Sequence, residues 1–419
     1  MVQPKKQRTL GWRCGYAVLA IQPLFAVPIY FSVLAGSPPL WLSLVVALFP
    51  LGLRFCLTHR FIQRTPFDVP IILFALGMLI GLVVSPNKEV ALGALASTLA
   101  SMFIYYGITD NSEAQTNYWL YMGGAICIIA LAMSVWFFSQ GNGRQFFFNK
   151  WAFALFDGLP KTGFVALSPH SLGAFLAVII PPLFSLTIFN KRIPLRIAAL
   201  VLGGTFLGIL FLSDSGTGWI AVVCGLVFII LCWRLWTAII IVPTAGILTP
   251  LAVGLYSKVK WLAQSLSVES LLDRVNIWGK TINLLKGYHA IAGLGFGNWF
   301  DVYKSHYGTK VIHVHNNYLQ LYTDIGIPGA LAFIAALVIF VRHSVDILSA
   351  SRHDSWYGVG VGLIGSIIAG AIFAFFDVTT TATVVTATGY IYLSIPLLWI
   401  LAALLVVSNR RLHPKIMPK

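Results

Sequence analysis

Apolar stretches of about 17–24 residues, each long enough to cross a bilayer as a helix, recur along almost the whole 419-residue chain. They fall at about 12–35, 39–56, 69–85, 90–107, 117–139, 171–190, 195–212, 217–234, 237–256, 328–347, 357–376 and 385–408. A lipid interior offers backbone groups no water to bond, so segments of this length and apolarity are expected to be helices. The spacing therefore predicts an all-α polytopic membrane protein with about twelve transmembrane helices, and one transmembrane domain spanning 1–419. Composition agrees: 58% of residues are hydrophobic and 10% charged, against roughly 25% charged in soluble domains. The start, MVQPKKQRTLGWRCGYAVLAIQPLFAVPIYFSVLAG, has an apolar segment too long for a signal peptide and no clear cleavage site. It is expected to remain as the first span.

The net charge of +15 does not indicate nucleic acid, because Lys and Arg stand in short clusters between apolar runs. Alternate loops carry Lys5, Lys6, Arg8 and Arg13; Arg54, Arg60 and Arg64; Lys191, Arg192 and Arg196; Arg234; Arg342 and Arg352; and Arg410, Arg411, Lys415 and Lys419. By the positive-inside rule these loops and both termini are cytoplasmic. Two long segments are left outside, at about 140–170 and 257–327, and long loops in compact proteins are commonly functional. Cys14, Cys56, Cys127, Cys224 and Cys232 lie in or at the ends of apolar runs, with no disulfide framework or CxxC pair.

The second outer loop contains SVESLLDRVNIWGKTINLL, a helical pattern in which Ser270 and Asp273 have capping-box spacing. Arg274 and Trp278 then share a face one turn apart. An arginine here either offers its planar fork to phosphate oxygens or pairs with Asp273 or Glu269. GLGFGNW follows, with Gly295 at its centre, and can bring backbone amides close to an anion or simply turn. The loop ends in HVHNNYLQLYTDIGIPG. From Asn317 this reads as a short helix through Tyr318 and Tyr322, ended by Gly326 and Pro328. His315 stands at its start, where the helix dipole favours a neutral, proton-accepting ring. It is either a general base or a polar interfacial cap, and His313 competes with it. Lys88 is also notable, because it lies in the short outer hairpin SPNKEV, where the positive-inside rule disfavours lysine.

Several chemistries find no support. The outward acids Glu89, Asp157, Asp214, Glu269, Asp273, Asp301, Asp324 and Asp377 are dispersed, and no DxD or HExxH offers a metal site. There is no adjacent carboxylate pair for glycoside hydrolysis and no GxSxG elbow. A basic outer face with a candidate base and no evident metal or cofactor suggests group transfer from a phosphate-bearing lipid.

The run from Arg274 and Trp278 through Gly293, Gly295 and Gly297 to His315-Asn316, with Gly326 and Gly329 beyond, resembles the C-terminal signature of the bacterial O-antigen ligase and polymerase superfamily. His315-Asn316, nine residues, Gly326, two residues and Gly329 resemble the ligase motif. The resemblance implies a GT-C-type bundle with a large helical periplasmic loop at 257–327 carrying the active site. It also implies a metal-independent, inverting glycosyltransferase of the bacterial inner membrane. The donor would be a glycan on undecaprenyl diphosphate and the acceptor a sugar hydroxyl of lipid A-core. It casts His315 as catalytic base and Arg274 as a donor-diphosphate ligand, with Asn316, Trp278, Gly295 and Tyr318 in support. This chain has Gly216 and Lys161 where relatives often carry further arginines, so Lys88, Arg144 or Lys161 would supply a second diphosphate contact. The alternatives are a polymerase using the same donor, a protein O-oligosaccharyltransferase, or a transporter of lipid-linked glycan.

Overall fold

The structure, a computed structural model, describes residues 64–111, 118–139, 169–213, 215–234, 268–308, 311, 313–377, 381–386, 389–394 and 396–413, with isolated positions between 48 and 56. The expected spans near 12–35, 39–56 and 237–256, the loop 140–168, Arg144 and Lys161 lie outside the described residues.

The helices are α1 (Asp68–Val84), α2 (Lys88–Asn111), α3 (Tyr118–Ser139), α4 (Pro169–Phe189), α5 (Ile193–Leu212) and α6 (Gly216–Trp233), followed in the loop by α7 (Val268–Leu284), α8 (His289–Ala292) and α9 (Trp299–Tyr307). Next come α10 (Asn317–Ser349) and α11 (Ser355–Phe376), then strands β1 (Thr381–Thr386) and β2 (Gly389–Ser394), and finally α12 (Pro396–Leu412). Among the described residues six helices are long and apolar enough to cross a membrane: α2, α4, α5, α6, α10 and α11. The chain is a polytopic helical membrane protein.

Two sequence expectations need correction. The window at about 385–408 is not one helical span. Its first part pairs as an antiparallel hairpin, with register from Thr381 opposite Ser394 to Thr386 opposite Gly389. TTTATVVT is rich in β-branched residues, whose stiff side chains favour extended backbone, so the helix waits until Pro396, a residue suited to a first turn. Likewise Ser270 does not cap α7, which already begins at Val268.

The core is built on α4 and α11, which pack along each other, with α6 across both and α12 against α2 and α11. Small residues allow close approach, as expected where lipid competes equally for apolar side chains. A Cβ on Gly225 of α6 would meet the Gly365 carbonyl oxygen of α11 at 2.8 Å, and one on Gly362 would meet Pro182 of α4 at 2.8 Å. Ser185 Oγ of α4 donates to the Gly358 carbonyl of α11 at 2.6 Å. On the other side α1 packs along α10, and a Cβ on its Gly77 would come within 3.1 Å of Pro328.

Basic residues gather at one end of this bundle. Arg410 donates to the carbonyls of Thr109 and Arg64 at 3.1 and 3.2 Å, Arg196 to Thr187 at 2.8 Å, and Arg352 to Trp233 at 3.5 Å. The starts of α4 and α10 and the end of α11 meet at the opposite end, under α7 to α9.

Candidate functional site

Asn317 opens α10, and Asn316 caps it: the Asn316 side chain accepts from the Leu319 N–H at 2.9 Å. His315 is therefore not the cap. It sits one residue earlier with φ 56°, alone among the described non-glycine residues in left-handed backbone. That conformation costs on the order of 1 kcal/mol or more, so the turn must be held from outside. Three contacts hold it. Trp278 Nε1 of α7 donates to the Val314 carbonyl at 3.0 Å, Gln320 Oε1 accepts from the Val314 N–H at 3.4 Å, and His313 Nδ1 accepts from the His315 N–H at 3.3 Å.

α11 ends beside this turn, where helix and extended backbone meet at Asp377. Tyr318 Oη donates to the Ala371 carbonyl of α11 at 2.8 Å, and the Trp278 and Phe375 rings lie 5.9 Å apart edge to face. Trp278 thus ties both the histidine turn and the end of α11 to α7. The result is a cluster: His313 Nε2 and His315 Nδ1 lie 3.6 and 3.7 Å from Asp377 Oδ1, and His170 Nδ1 at the start of α4 lies 3.2 Å from Oδ2. The acids are not all dispersed once the chain folds, since Asp377 joins two histidines in a set whose donor atoms fall within 4.8 Å of one another.

Burial alone would raise the Asp377 carboxyl, but the surrounding imidazoles of His315, His313 and His170 outweigh it and hold it below the usual carboxylate range. Burial pushes His313 down to about 4, and the nearby Arg274 and other histidines add to this against the pull of Asp377. His313 is then neutral. Because its Nδ1 accepts the His315 N–H, its proton sits on Nε2, facing Asp377, and its lone pair is used. For His315 the geometry is the reverse. Its Nδ1 is buried towards Asp377 while 31% of its side chain is exposed. An Nδ1–H facing the carboxylate leaves Nε2 as a free acceptor.

Arg274 is half-buried on α7, one turn before Trp278, and pairs with no acid among the described residues. It is close enough to depress His313. Lys88 has another setting: its ammonium donates to the Leu82 and Val83 carbonyls at the end of α1, where a cation complements the helix dipole. Gly295 has φ 90°, and a Cβ there would meet Ser85 Cα at 2.7 Å. Its position is set by a close approach to the α1–α2 turn, which Asn298 reinforces by donating to Ser85 Oγ at 2.7 Å and accepting from the Asn87 N–H at 3.1 Å. Sequence reasoning missed Asp377 and His170 as site residues. The available signal was an acid closing an apolar run, since ionisable groups at a membrane boundary are costly unless used.

The fold and this cluster define a polytopic membrane protein with a histidine–carboxylate site at one end of its bundle. Residues 204–334, a segment that runs from α5 through the histidine turn into α10, match the family model described as O-Antigen ligase. His170 and Asp377 lie outside the matched residues. No curated protein matches the chain.

Proposed function

We propose that this protein is an O-antigen ligase, transferring a glycan from undecaprenyl diphosphate to a sugar hydroxyl of lipid A-core at the outer face of the inner membrane. The observation that carries the reading is His315, held in left-handed backbone with Nδ1 towards Asp377, within the segment that matches the family. Asp377 fixes the tautomer and stabilises the imidazolium, and Nε2 takes the proton from the acceptor hydroxyl. The hydroxyl oxygen attacks the anomeric carbon, the bond from that carbon to the phosphate oxygen breaks, and the configuration inverts. Undecaprenyl diphosphate leaves with the bonding pair. Its developing charge is met by Arg274, whose fork suits phosphate oxygens. Such a leaving group needs no metal in this scheme, and α7 to α9 form the periplasmic cover of the site.

The test is reconstitution of the purified protein with lipid-diphosphate glycan and lipid A-core. Transfer should persist in chelator. His315→Ala should lower it by roughly 10²–10⁴-fold with donor binding retained, whereas Arg274→Ala should weaken donor binding and Arg274→Lys should not fully restore it. Undiminished transfer by His315→Ala would remove the base. Chain extension without use of lipid A-core would make the enzyme a polymerase.

A further inference from the structure

His313, His315 and Asp377 do more than form a proton-transfer pair. Two imidazole nitrogens and one carboxylate oxygen converge within 4.8 Å of one another, which is the donor set and number of an open zinc site with a fourth position free. A tetrahedral ion with bonds of about 2.0–2.1 Å holds neighbouring ligand atoms about 3.3–3.4 Å apart. The two His–Asp separations, 3.6 and 3.7 Å, are nearer to that spacing than to a direct N–H···O bond of about 2.9 Å. His170, 3.2 Å from the second carboxylate oxygen, occupies the outer position from which a partner orients a ligating carboxylate. His315 Nδ1 is buried without a hydrogen-bond partner and faces this point. The mixed nitrogen and oxygen donors favour a borderline ion such as Zn2+ over Mg2+ or Ca2+, which take oxygen.

We propose that this cluster is a Zn2+-class transition-metal site, and that filling it switches transfer off. The second half rests on the base role of His315. In the base-competent state His315 carries its proton on Nδ1 and offers the Nε2 lone pair. A metal takes the Nδ1 lone pair, forces the proton to Nε2, and leaves no acceptor for the attacking hydroxyl. His313 changes in the same sense: its Nε2 must become the ligand, Nδ1 takes the hydrogen, and the 3.3 Å bond from the His315 N–H is given up. The loaded and catalytic states are therefore mutually exclusive at both rings.

The experiment uses the full-length protein in detergent, with Zn2+ as the probe. Equilibrium dialysis with elemental analysis should find one ion per chain. X-ray absorption at the zinc edge should show imidazole nitrogens with an oxygen at about 2.0–2.1 Å and no sulfur at about 2.3 Å. Since that spectrum is read on the unmutated protein, it does not depend on variants folding. Asp377→Asn and His313→Ala should abolish the bound ion, His170→Ala should weaken it by about 10–100-fold, and His306→Ala, an exposed histidine on α9, should change nothing. A sulfur shell, no stoichiometric ion, or full binding in Asp377→Asn would overturn the site. Stoichiometric Zn2+ should inhibit transfer and chelator should restore it. A loaded protein with undiminished transfer would overturn the switch, and transfer lost in chelator would keep the site but remove the metal-free base mechanism.

Discussion

At His315 two demands meet that an ordinary residue could not satisfy together. The left-handed backbone turns the ring back towards the end of α11, and Asn316 takes over the capping that a histidine start would otherwise provide. His313 lies as near the same carboxylate oxygen but is spent, with one nitrogen facing Asp377 and the other accepting a backbone N–H. The two histidines should therefore respond differently. Asp377→Asn keeps the size of the side chain but can present an amide N–H to His315 Nδ1, favouring the tautomer with no free Nε2 lone pair. Transfer should fall by roughly 10²–10⁴-fold with little change in donor KM. His313→Ala should cost less than about tenfold, since a backbone donor near water can be re-solvated for about 1 kcal/mol. Assays of both variants under saturating donor check this, and equal losses would return His313 to the reaction. His315 was legible in the sequence because the dipeptide His-Asn opens a visible helix. Asp377 was not, because it is placed by where α11 ends in space, and no spacing along the chain encodes that.

The element that turns the loop into a site is α10, in effect two helices joined at Gly326, where φ is 61° and ψ −150°. The first part carries Asn317 to Ile325 and the second crosses the bundle against α1. A Cβ on Gly326 would fall 2.1 Å from the Ile291 carbonyl oxygen, and one on Gly293, at φ 78°, would fall 2.7 Å from the Thr323 carbonyl oxygen. The GLGFG run thus lies against the kink, with the Leu294 N–H donating to Thr323 at 2.6 Å. Gly326→Ala must meet both the backbone conformation and the overlap, and should destabilise by more than about 1 kcal/mol. Gly279, inside α7 with open space where a methyl group would go, is the opposite case: Gly279→Ala should stabilise by up to about 1 kcal/mol. Thermal midpoints in detergent should move in opposite directions, and a shared sign would refute the account. The stop at Gly326 and Pro328 was legible because glycine and proline punctuate any helix. The resumption of α10 was legible too, as the apolar window at about 328–347. The β1–β2 hairpin was not, because there β-branched preference prevails within a window whose apolar length alone suggested a span.

Over the whole molecule, charge divides the two ends of the bundle. The end formed by α4, α5 and α6 where Arg192, Arg196 and Arg234 stand also holds Arg64, Arg352 and Arg410, several of them bonded to the last carbonyls of neighbouring helices. The histidine cluster and the α7–α9 cover are at the other end, and their cations lie on a long loop, where the positive-inside rule has little force. This asymmetry was readable from the sequence, because short loops alternate in charge regardless of how the helices pack. By that rule the arginine-rich end is expected in the cytoplasm and His315 in the periplasm. Two exposed serines report the difference: Ser305 on α9, beside the cover, and Ser351 in the short connection between α10 and α11. In a background with the native cysteines replaced, Ser305→Cys should react with a membrane-impermeant maleimide in cells whose outer membrane has been opened. Ser351→Cys should react only after the inner membrane is also permeabilised. The reversed pattern would put the histidine cluster in the cytoplasm, away from any acceptor on the outer leaflet, and would end the ligase reading whatever the cluster's chemistry.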